Sequence, residues 1–127
     1  MTTMTEQQLT RLISDAAAKV HEALGGPGLE LPPYRDALAY ELRQRGLAVE
    51  KRTIPPGKYP GVTITRAEPI DMIVNDLVIV EPKVDWKPQY EAEALAHLRM
   101  TGLKQALIIN FGAHTMRNAI RIVKSGI

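Results

Sequence analysis

The chain has 127 residues, a formal net charge of +2 and no cysteine. This length predicts one domain, spanning 1–127, with any active site built within one core or across a homodimer. The composition excludes disulfides, thiolate zinc sites and cysteine nucleophiles. We also predict a cytoplasmic protein without a membrane partner, because neither a signal pattern nor a long apolar run is seen.

The charge is distributed unevenly along the chain. No acidic residue follows Glu93, whereas five basic residues do: Arg99, Lys104, Arg117, Arg121 and Lys124. A basic final third is a weak indication of a polyanionic partner such as nucleic acid. A solvated surface on the last elements explains the same charges without any partner.

Two amphipathic helices are predicted first. Between Thr5 and Leu24 apolar residues recur at steps of three and four, which predicts a helix over 5–24 that ends at Gly25-Gly26-Pro27-Gly28. A second helix is predicted from Pro32-Pro33 to Gly46, because proline suits a first helical turn and glycine a helix end.

The pattern then changes to that of strands. The segment LAVEKRTI, 47–54, alternates as a strand does, PPGKYPG, 55–61, is typical of a turn, and VTIT, 62–65, predicts a short strand. Two further apolar runs follow within 70–83. Together these segments predict three or four consecutive strands.

The final part of the chain predicts a helix, a strand and one more element. Pro88 begins a helix that continues to about Met100, and QALIINF, 105–111, is a buried strand. The tail TMRNAIRIV, 115–123, fits a helix or a strand, and we predict a short helix. The order of elements indicates an α/β fold with helices covering a mixed sheet.

The stretch IDMIVNDLVIVEPK, 70–83, places charged side chains in an apolar hairpin. Residues two apart in a strand share a face, so Glu81 and Lys83 point together. A two-residue loop would leave Asp71 on the opposite face, whereas a three-residue loop at Asn75-Asp76-Leu77 would pair Asp71 with Glu81. The three-residue loop predicts one face of Asp71, Ile73, Ile79, Glu81 and Lys83, and another of Met72, Val74, Val78 and Val80.

Two adjacent carboxylates would repel each other unless they shared a cation. Oxygen ligands suit Mg²⁺ or Mn²⁺, so Asp71 and Glu81 are candidate metal ligands. Lys83 is suited to hold a phosphate or to help deprotonate a metal-bound water. This chemistry hydrolyses phosphodiesters. A solvated strand end with a surface ion pair accounts for the same residues, because short motifs have many false matches.

Five segments carry a resemblance to a known family: AAAKVHEALGGPGLE, YRDALAYELRQRGLAVE, IDMIVNDLVIVEPK, EAEALAHLRMTGLKQALIINFG and AIRIV. From about Leu9 to Val123 the chain resembles the GxxExxY proteins of the PD-(D/E)XK nuclease superfamily. The resemblance implies a restriction-endonuclease-like αβββαβ core and a nuclease acting on DNA or RNA. It also implies that Asp71 is the metal-binding aspartate, Glu81 the (D/E) residue and Lys83 the catalytic lysine.

The resemblance further implies auxiliary residues, and here the sequence departs from the family pattern. A glutamate is expected three residues before Tyr34, where Leu31 stands, and Glu30 lies one residue further away. Glu93 stands where relatives commonly have glutamine, and it would add negative charge near the metal or bind it directly. Glu30, Tyr34 and Glu93 are therefore auxiliary candidates.

Other residues near the hairpin have two interpretations each. Gln89, Glu93 and His97 lie four apart on one helix stripe that faces either the site or solvent. The histidines share no metal-ligand spacing, which favours surface or locally hydrogen-bonded side chains. Trp86 either stacks on a base or covers the end of the sheet.

Three functions are compatible with these residues. The first is a metal-dependent nuclease that uses the Asp71, Glu81 and Lys83 set. The second is a nuclease-fold module that binds or assembles without catalysis, which the departures at Leu31, Pro82 and Glu93 suggest. Pro82 cannot donate a ladder hydrogen bond and predicts an edge strand or a bulge. The third is a structural protein in which the strand-end charges are incidental.

Overall fold

The computed structural model describes residues 4–54, 58–63 and 68–126. Three helices and seven strands occur in these ranges: α1 (Glu6–Ala23), α2 (Leu31–Gln44), β1 (Val49–Ile54), β2 (Lys58–Tyr59), β3 (Val62–Thr63), β4 (Glu68–Val74), β5 (Val78–Lys83), α3 (Gln89–Thr101), β6 (Gln105–Asn110) and β7 (Ile120–Lys124). The predicted α/β fold with a mixed sheet is confirmed. None of the helices in the described ranges has both the length and the apolar composition needed to cross a bilayer.

Local signals explain where the helices begin and end. Thr5 caps α1, because its side chain accepts from the Gln8 backbone N–H while the Gln8 side chain accepts from the Thr5 N–H. Prolines occupy the first turn of α2. Gly102, with a φ of 75°, ends α3 in the left-handed conformation that glycine tolerates best.

A five-stranded sheet with the order β1-β4-β5-β6-β7 forms the centre of the fold. The β5–β6 pair is parallel and the other pairs are antiparallel. The helix α3 connects the two parallel strands, as such a connection requires. A separate two-stranded hairpin of β2 and β3 lies partly within the segment predicted as a turn, and residues 55–57 and 64–67 of that region lie outside the described ranges.

Each face of the sheet packs against a different helix layer. The face that carries Val78, Val80 and Leu107 packs against α1 and α2. The opposite face, which carries Ile79 and Ile108, packs against α3. Alternate residues of β5 and β6 therefore enter different cores, which is why 78–80 and 106–109 are apolar without interruption.

The prediction of a short helix in the tail is wrong, because this segment forms β7, a strand antiparallel to β6. Apolar residues in this segment recur at the spacing of a helix, which is why a helix was predicted. Pairing with β7 satisfies backbone groups along β6 that would otherwise form an open edge. Asn118, with a φ of 65°, also departs from helical geometry just before the strand.

Pro82 does not mark an edge strand, since β5 lies between β4 and β6. The Lys83 carbonyl accepts from the Phe111 N–H at 2.8 Å, so Lys83 directs its backbone polar groups towards β6 and Pro82 directs its own towards β4. The β4–β5 pairing reaches only Ile73 opposite Ile79. The missing N–H of Pro82 therefore falls where the two strands have already separated.

The ends of β5 and β6 approach each other very closely. A Cβ atom on Gly112 would lie 2.0 Å from the Val84 carbonyl oxygen, so only glycine fits without a backbone shift. This contact lies just beyond Lys83 and its strand partner Asn110. The backbone at this end of the sheet is therefore closely packed.

Candidate active site

The hairpin between β4 and β5 has the register of the three-residue loop. Val74 pairs with Val78 and Ile73 with Ile79, which leaves Asn75-Asp76-Leu77 outside the ladder. Positive φ angles at Asn75 and Asp76, with a bond from the Leu77 N–H to the Val74 carbonyl, form the turn itself. By simple alternation this register would place Asp71 on the face of Glu81.

A bulge in β4 changes the position of Asp71. The β1 pairing shifts by one residue between Glu50 and Arg52, so that Asp71 and Met72 together oppose a single residue of β1. Ile70 and Ile73 consequently enter the same core, although they are three residues apart. The bulge therefore lies at the candidate metal-binding aspartate and not at Pro82.

The carboxylate cleft, as we call this site, opens where β4 and β5 separate. It has a volume of about 90 Å³ and is lined by Leu31, Pro69, Ile70, Asp71, Val80, Glu81, Pro82, Lys83 and His97. A water molecule takes about 30 Å³ of liquid volume, so the cleft accommodates roughly three water-sized groups. This volume suits an ion with a few oxygen ligands.

Glu81 is the buried carboxylate of the cleft, with 8% of its side chain exposed. Its Oε1 accepts a hydrogen bond from His97 Nδ1, and His97 Nε2 bonds Glu68 Oε1 at 2.9 Å. The Glu81 hydrogen bond, reinforced by Glu68 and opposed by burial, raises the pKa of His97 to about 9. At neutral pH His97 is therefore a cation that donates to both carboxylates.

The second oxygen of Glu81, Oε2, is buried and has no hydrogen-bond partner among the residues that the structure describes. Leaving a buried acceptor unsatisfied costs about 1–3 kcal/mol, and more when the group is charged. Such an atom in a native fold calls for a further partner. A bound cation or water would supply that partner.

Asp71 is the more exposed carboxylate, with 47% of its side chain accessible. Its Oδ2 lies 3.9 Å from Arg35 Nη1, so its charged neighbour is on α2, whereas the neighbour of Glu81 is on α3. Asp71 and Glu81 thus reach the cleft from different sides of the sheet, which repulsion between carboxylates also favours.

Lys83 lies on the α3 side of the sheet, as the alternation from Glu81 predicts. Its Nζ lies 4.4 Å from the centre of the Tyr90 ring, a cation–π distance. The Tyr90 hydroxyl donates to Asp85 Oδ1 at 2.6 Å, and this bond raises the pKa of Tyr90 to about 12. A neutral tyrosine ring therefore supports the ammonium group.

The three auxiliary candidates lie outside the lining of the cleft. Glu30 is an exposed residue at the N-cap of α2, and Glu93 is exposed on α3. Tyr34 is fully buried; its hydroxyl donates to the Gly26 carbonyl at 2.6 Å, accepts from the Leu29 N–H at 3.2 Å, and its ring stacks on Phe111. Tyr34 thus packs in the core and holds the glycine loop.

Sequence reasoning missed Arg35 and Glu68 as neighbours of the site. Glu68 precedes the segment predicted as the hairpin, and no local signal connects Arg35 with Asp71, 36 positions later. The sequence left two interpretations for His97. The structure places it at the cleft, hydrogen-bonded to Glu81 and Glu68. Leu31, and not Glu30, lines the cleft.

The donor set is suited to a metal that keeps several non-protein ligands. In the described ranges no three His, Cys, Asp or Glu side chains cluster as a metal-binding group. Mg²⁺ is often held by one or two carboxylates together with waters and substrate phosphates. Two carboxylates on one cleft, with a buried oxygen lacking a partner, fit this kind of site.

These features define the class of protein. The fold is a mixed five-stranded sheet between helix layers, and charged residues lie where β4 and β5 separate. This arrangement is consistent with a restriction-endonuclease-like domain. A family model described as the PD-(D/E)XK nuclease superfamily matches residues 7–123. The chain therefore belongs to the PD-(D/E)XK nuclease superfamily. Comparison with curated proteins and with solved structures yields no match.

The His97 bonds predict a pH-dependent contribution to stability in metal-free protein. The folded pKa of about 9 exceeds the ordinary value of 6.5, so the stabilisation is complete below pH 6.5 and is lost as the pH rises through 9. We expect His97→Gln to lower the free energy of unfolding by roughly 1–2 kcal/mol more at pH 6 than at pH 10, after allowing for solvent screening at half-exposed Glu68. Urea unfolding of both proteins in EDTA measures this difference, and equal losses at the two pH values would contradict it.

Proposed function

We propose that this protein is a metal-dependent nuclease that hydrolyses phosphodiester bonds of nucleic acid. The observation that carries the proposal is the buried Glu81 Oε2, which lacks a partner among the described residues and belongs to a side chain that lines the same cleft as Asp71 and Lys83. Membership of the nuclease superfamily supports the same reaction class.

The proposed roles follow from the chemistry of the side chains. Asp71 and Glu81 would hold Mg²⁺ or Mn²⁺ through carboxylate oxygens. A metal bound there would stabilise charge on the phosphate oxygens and lower the pKa of a water. Lys83 would hold a phosphate oxygen or orient the attacking water, and Arg35, beside Asp71, would add a second cation on the α2 side.

We also propose that the chain is related to the GxxExxY group within the superfamily. The support is the glycine loop before α2 and the bond from Tyr34 to the Gly26 carbonyl, which holds that loop against the helix. In this interpretation Tyr34 has a positioning role. Glu30, exposed at the start of α2, would need a loop shift to reach the cleft.

A second candidate function is a nucleic-acid-binding module without catalysis. Two observations favour it: His97 already bonds one oxygen of Glu81, and Leu31 occupies the cleft where a third carboxylate is expected. Both features would weaken metal binding. The two candidates therefore differ first in whether a metal binds.

Calorimetric titration with Mn²⁺ tests the proposed site directly. We expect the native chain to bind Mn²⁺, Asp71→Asn to bind it at least about tenfold more weakly, and Leu31→Glu to bind it more tightly, because a third carboxylate then enters the cleft. Glu30→Gln is the matched control, since Glu30 does not line the cleft.

Cleavage of single-stranded and duplex DNA and RNA is measured in parallel with Mn²⁺, Mg²⁺ or EDTA. Cleavage that requires a divalent metal supports the nuclease. Absence of Mn²⁺ binding in the native chain, with no hydrolysis of any substrate, would overturn the nuclease proposal and leave the binding module.

A further inference from the structure

A second cavity lies beside the carboxylate cleft, at the end of β6. This Trp86 cavity has a volume of about 260 Å³ and is lined by Trp86, Asn110, Ala113, Asn118, Ala119, Ile120 and Arg121. It is nearly three times as large as the cleft, yet lies just below the range of about 300–1,000 Å³ that is usual for drug-sized ligands. Its size suits one flat ring system.

The walls of the Trp86 cavity combine an aromatic face with amide groups and a cation. Trp86 is 40% exposed, which is unusual for so large an apolar side chain. The Asn110 Oδ1 accepts from the Gly112 N–H at 2.8 Å, which orients the amide and leaves its NH₂ group to donate. Asn118 adds a second amide from the β6–β7 loop, and the Asn110 N–H bond to the Ala119 carbonyl holds that loop in place.

Arg121 lies over the Trp86 ring, with its guanidinium carbon 5.0 Å from the ring centre. Its other partner is Glu91, in an ion pair between two substantially exposed side chains. Such pairs contribute little to stability. Arg121 can therefore move from the indole to a ligand without a large energetic cost.

The two cavities are adjacent through the β5–β6 pair. Lys83 is the strand partner of Asn110, and neighbouring strands lie about 4.8 Å apart. Tyr90 contacts both sites: Lys83 lies over its ring, and its ring makes an edge-to-face contact with Trp86 at 6.3 Å between centroids. A phosphate at Lys83 would thus have its own or a neighbouring base within reach of Trp86.

We propose that the Trp86 cavity binds an unpaired nucleobase next to the phosphate held at the carboxylate cleft. The inference rests on the proposed function for the identity of the ligand. Trp86 supplies the stacking surface, Asn110 and Asn118 hydrogen-bond the base edge, and Arg121 stacks beside the base or contacts its phosphate. A base paired within a duplex cannot enter, so the site selects single-stranded or locally unpaired nucleic acid.

Trp86 is also the single tryptophan of the chain, so its fluorescence reports on this cavity alone. The native protein is titrated in EDTA, without cleavage, with a single-stranded hexanucleotide, with an abasic hexanucleotide of equal charge and with the same sequence as a duplex. We expect quenching by the first ligand only. Equal fluorescence changes with all three ligands, or none with the first, would overturn the base site.

A variant series separates stacking from charge. By anisotropy of a labelled hexanucleotide, Trp86→Ala should weaken binding roughly 5- to 150-fold, whereas its affinity for the abasic ligand should stay the same. Trp86→Phe should retain most of the affinity. Tyr40→Ala is the control, because Tyr40 is an exposed aromatic on α2 outside both cavities. Equal losses for both ligands in Trp86→Ala would overturn the proposal.

Failure of the base site and failure of the nuclease proposal are distinguishable. If the protein bound no Mn²⁺ and cleaved nothing, but its fluorescence were quenched by single strands alone, the base site would be supported and the nuclease proposal contradicted. If the protein cleaved with Mn²⁺ but showed no base-dependent quenching, the nuclease proposal would be supported and the base site contradicted.

Discussion

Replacement of Lys83 by alanine is expected to lower the metal-dependent cleavage rate by roughly 10²–10³-fold. The reason is that removal of one preorganised donor to a developing negative charge has an effect of this order in other enzymes. The Lys83 ammonium lies over the Tyr90 ring beside the carboxylate cleft, so the loss should appear in kcat. Single-turnover cleavage with saturating protein measures it.

Lys87→Ala is the matched control for Lys83→Ala. Lys87 lies four residues further on, is 53% exposed and forms a surface pair with Asp85 at 3.8 Å. Its replacement removes the same charge from the same region without touching the cleft. If Lys87→Ala slowed cleavage as strongly as Lys83→Ala, general attraction of the polyanion would explain the effect and the specific role of Lys83 would be wrong.

Replacement of Tyr34 by alanine should lower the free energy of unfolding by about 3–5 kcal/mol. Tyr34 is fully buried and stacks on Phe111, with ring centroids 5.0 Å apart and planes 12° apart, so truncation leaves a large cavity between α2 and the sheet. Tyr34→Phe should cost about 1–2 kcal/mol, because the Gly26 carbonyl and the Leu29 N–H lose their shared partner.

Urea unfolding of these variants, with Tyr40→Ala as a control, measures the effect. Tyr40 is 62% exposed on the same helix, so its removal should change stability by no more than about 0.5 kcal/mol. Tyr34→Phe should retain cleavage, because the glycine loop that its hydroxyl holds lies outside the lining of the cleft. Loss of cleavage in Tyr34→Phe without loss of stability would instead assign the hydroxyl a direct role at the site.

The geometry also explains how a hydrophobic strand can hold charged residues. The strand β5 is central and apolar as far as Val80, and its charged residues begin where β4 has separated from it. There Glu81 accepts a hydrogen bond from protonated His97 of α3, and the Lys83 ammonium lies over the ring of Tyr90. Each charge is thus placed where the β4–β5 ladder has ended and side chains of α3 are within reach.

Local patterns in the sequence predicted most of the fold. Helical periodicity and end signals placed α1, α2 and α3 within one or two residues of their observed ends, since a helix is specified by residues three and four apart. The strand β6 and the face shared by Ile79, Glu81 and Lys83 were also predicted from the sequence, because alternation along one strand is a local property. The resemblance of the chain to the nuclease superfamily was likewise visible before the structure.

Only the tertiary structure decided the remaining features, because they depend on residues distant in sequence. The register of β4 against β1 produces the bulge at Asp71, and the backbone groups of β6 make a strand of the tail predicted as a helix. Packing of α2 brings Leu31 and Arg35, in place of Glu30, to the cleft region. A sequence pattern records the type and spacing of residues along the chain, whereas a site depends on which separate elements meet in space.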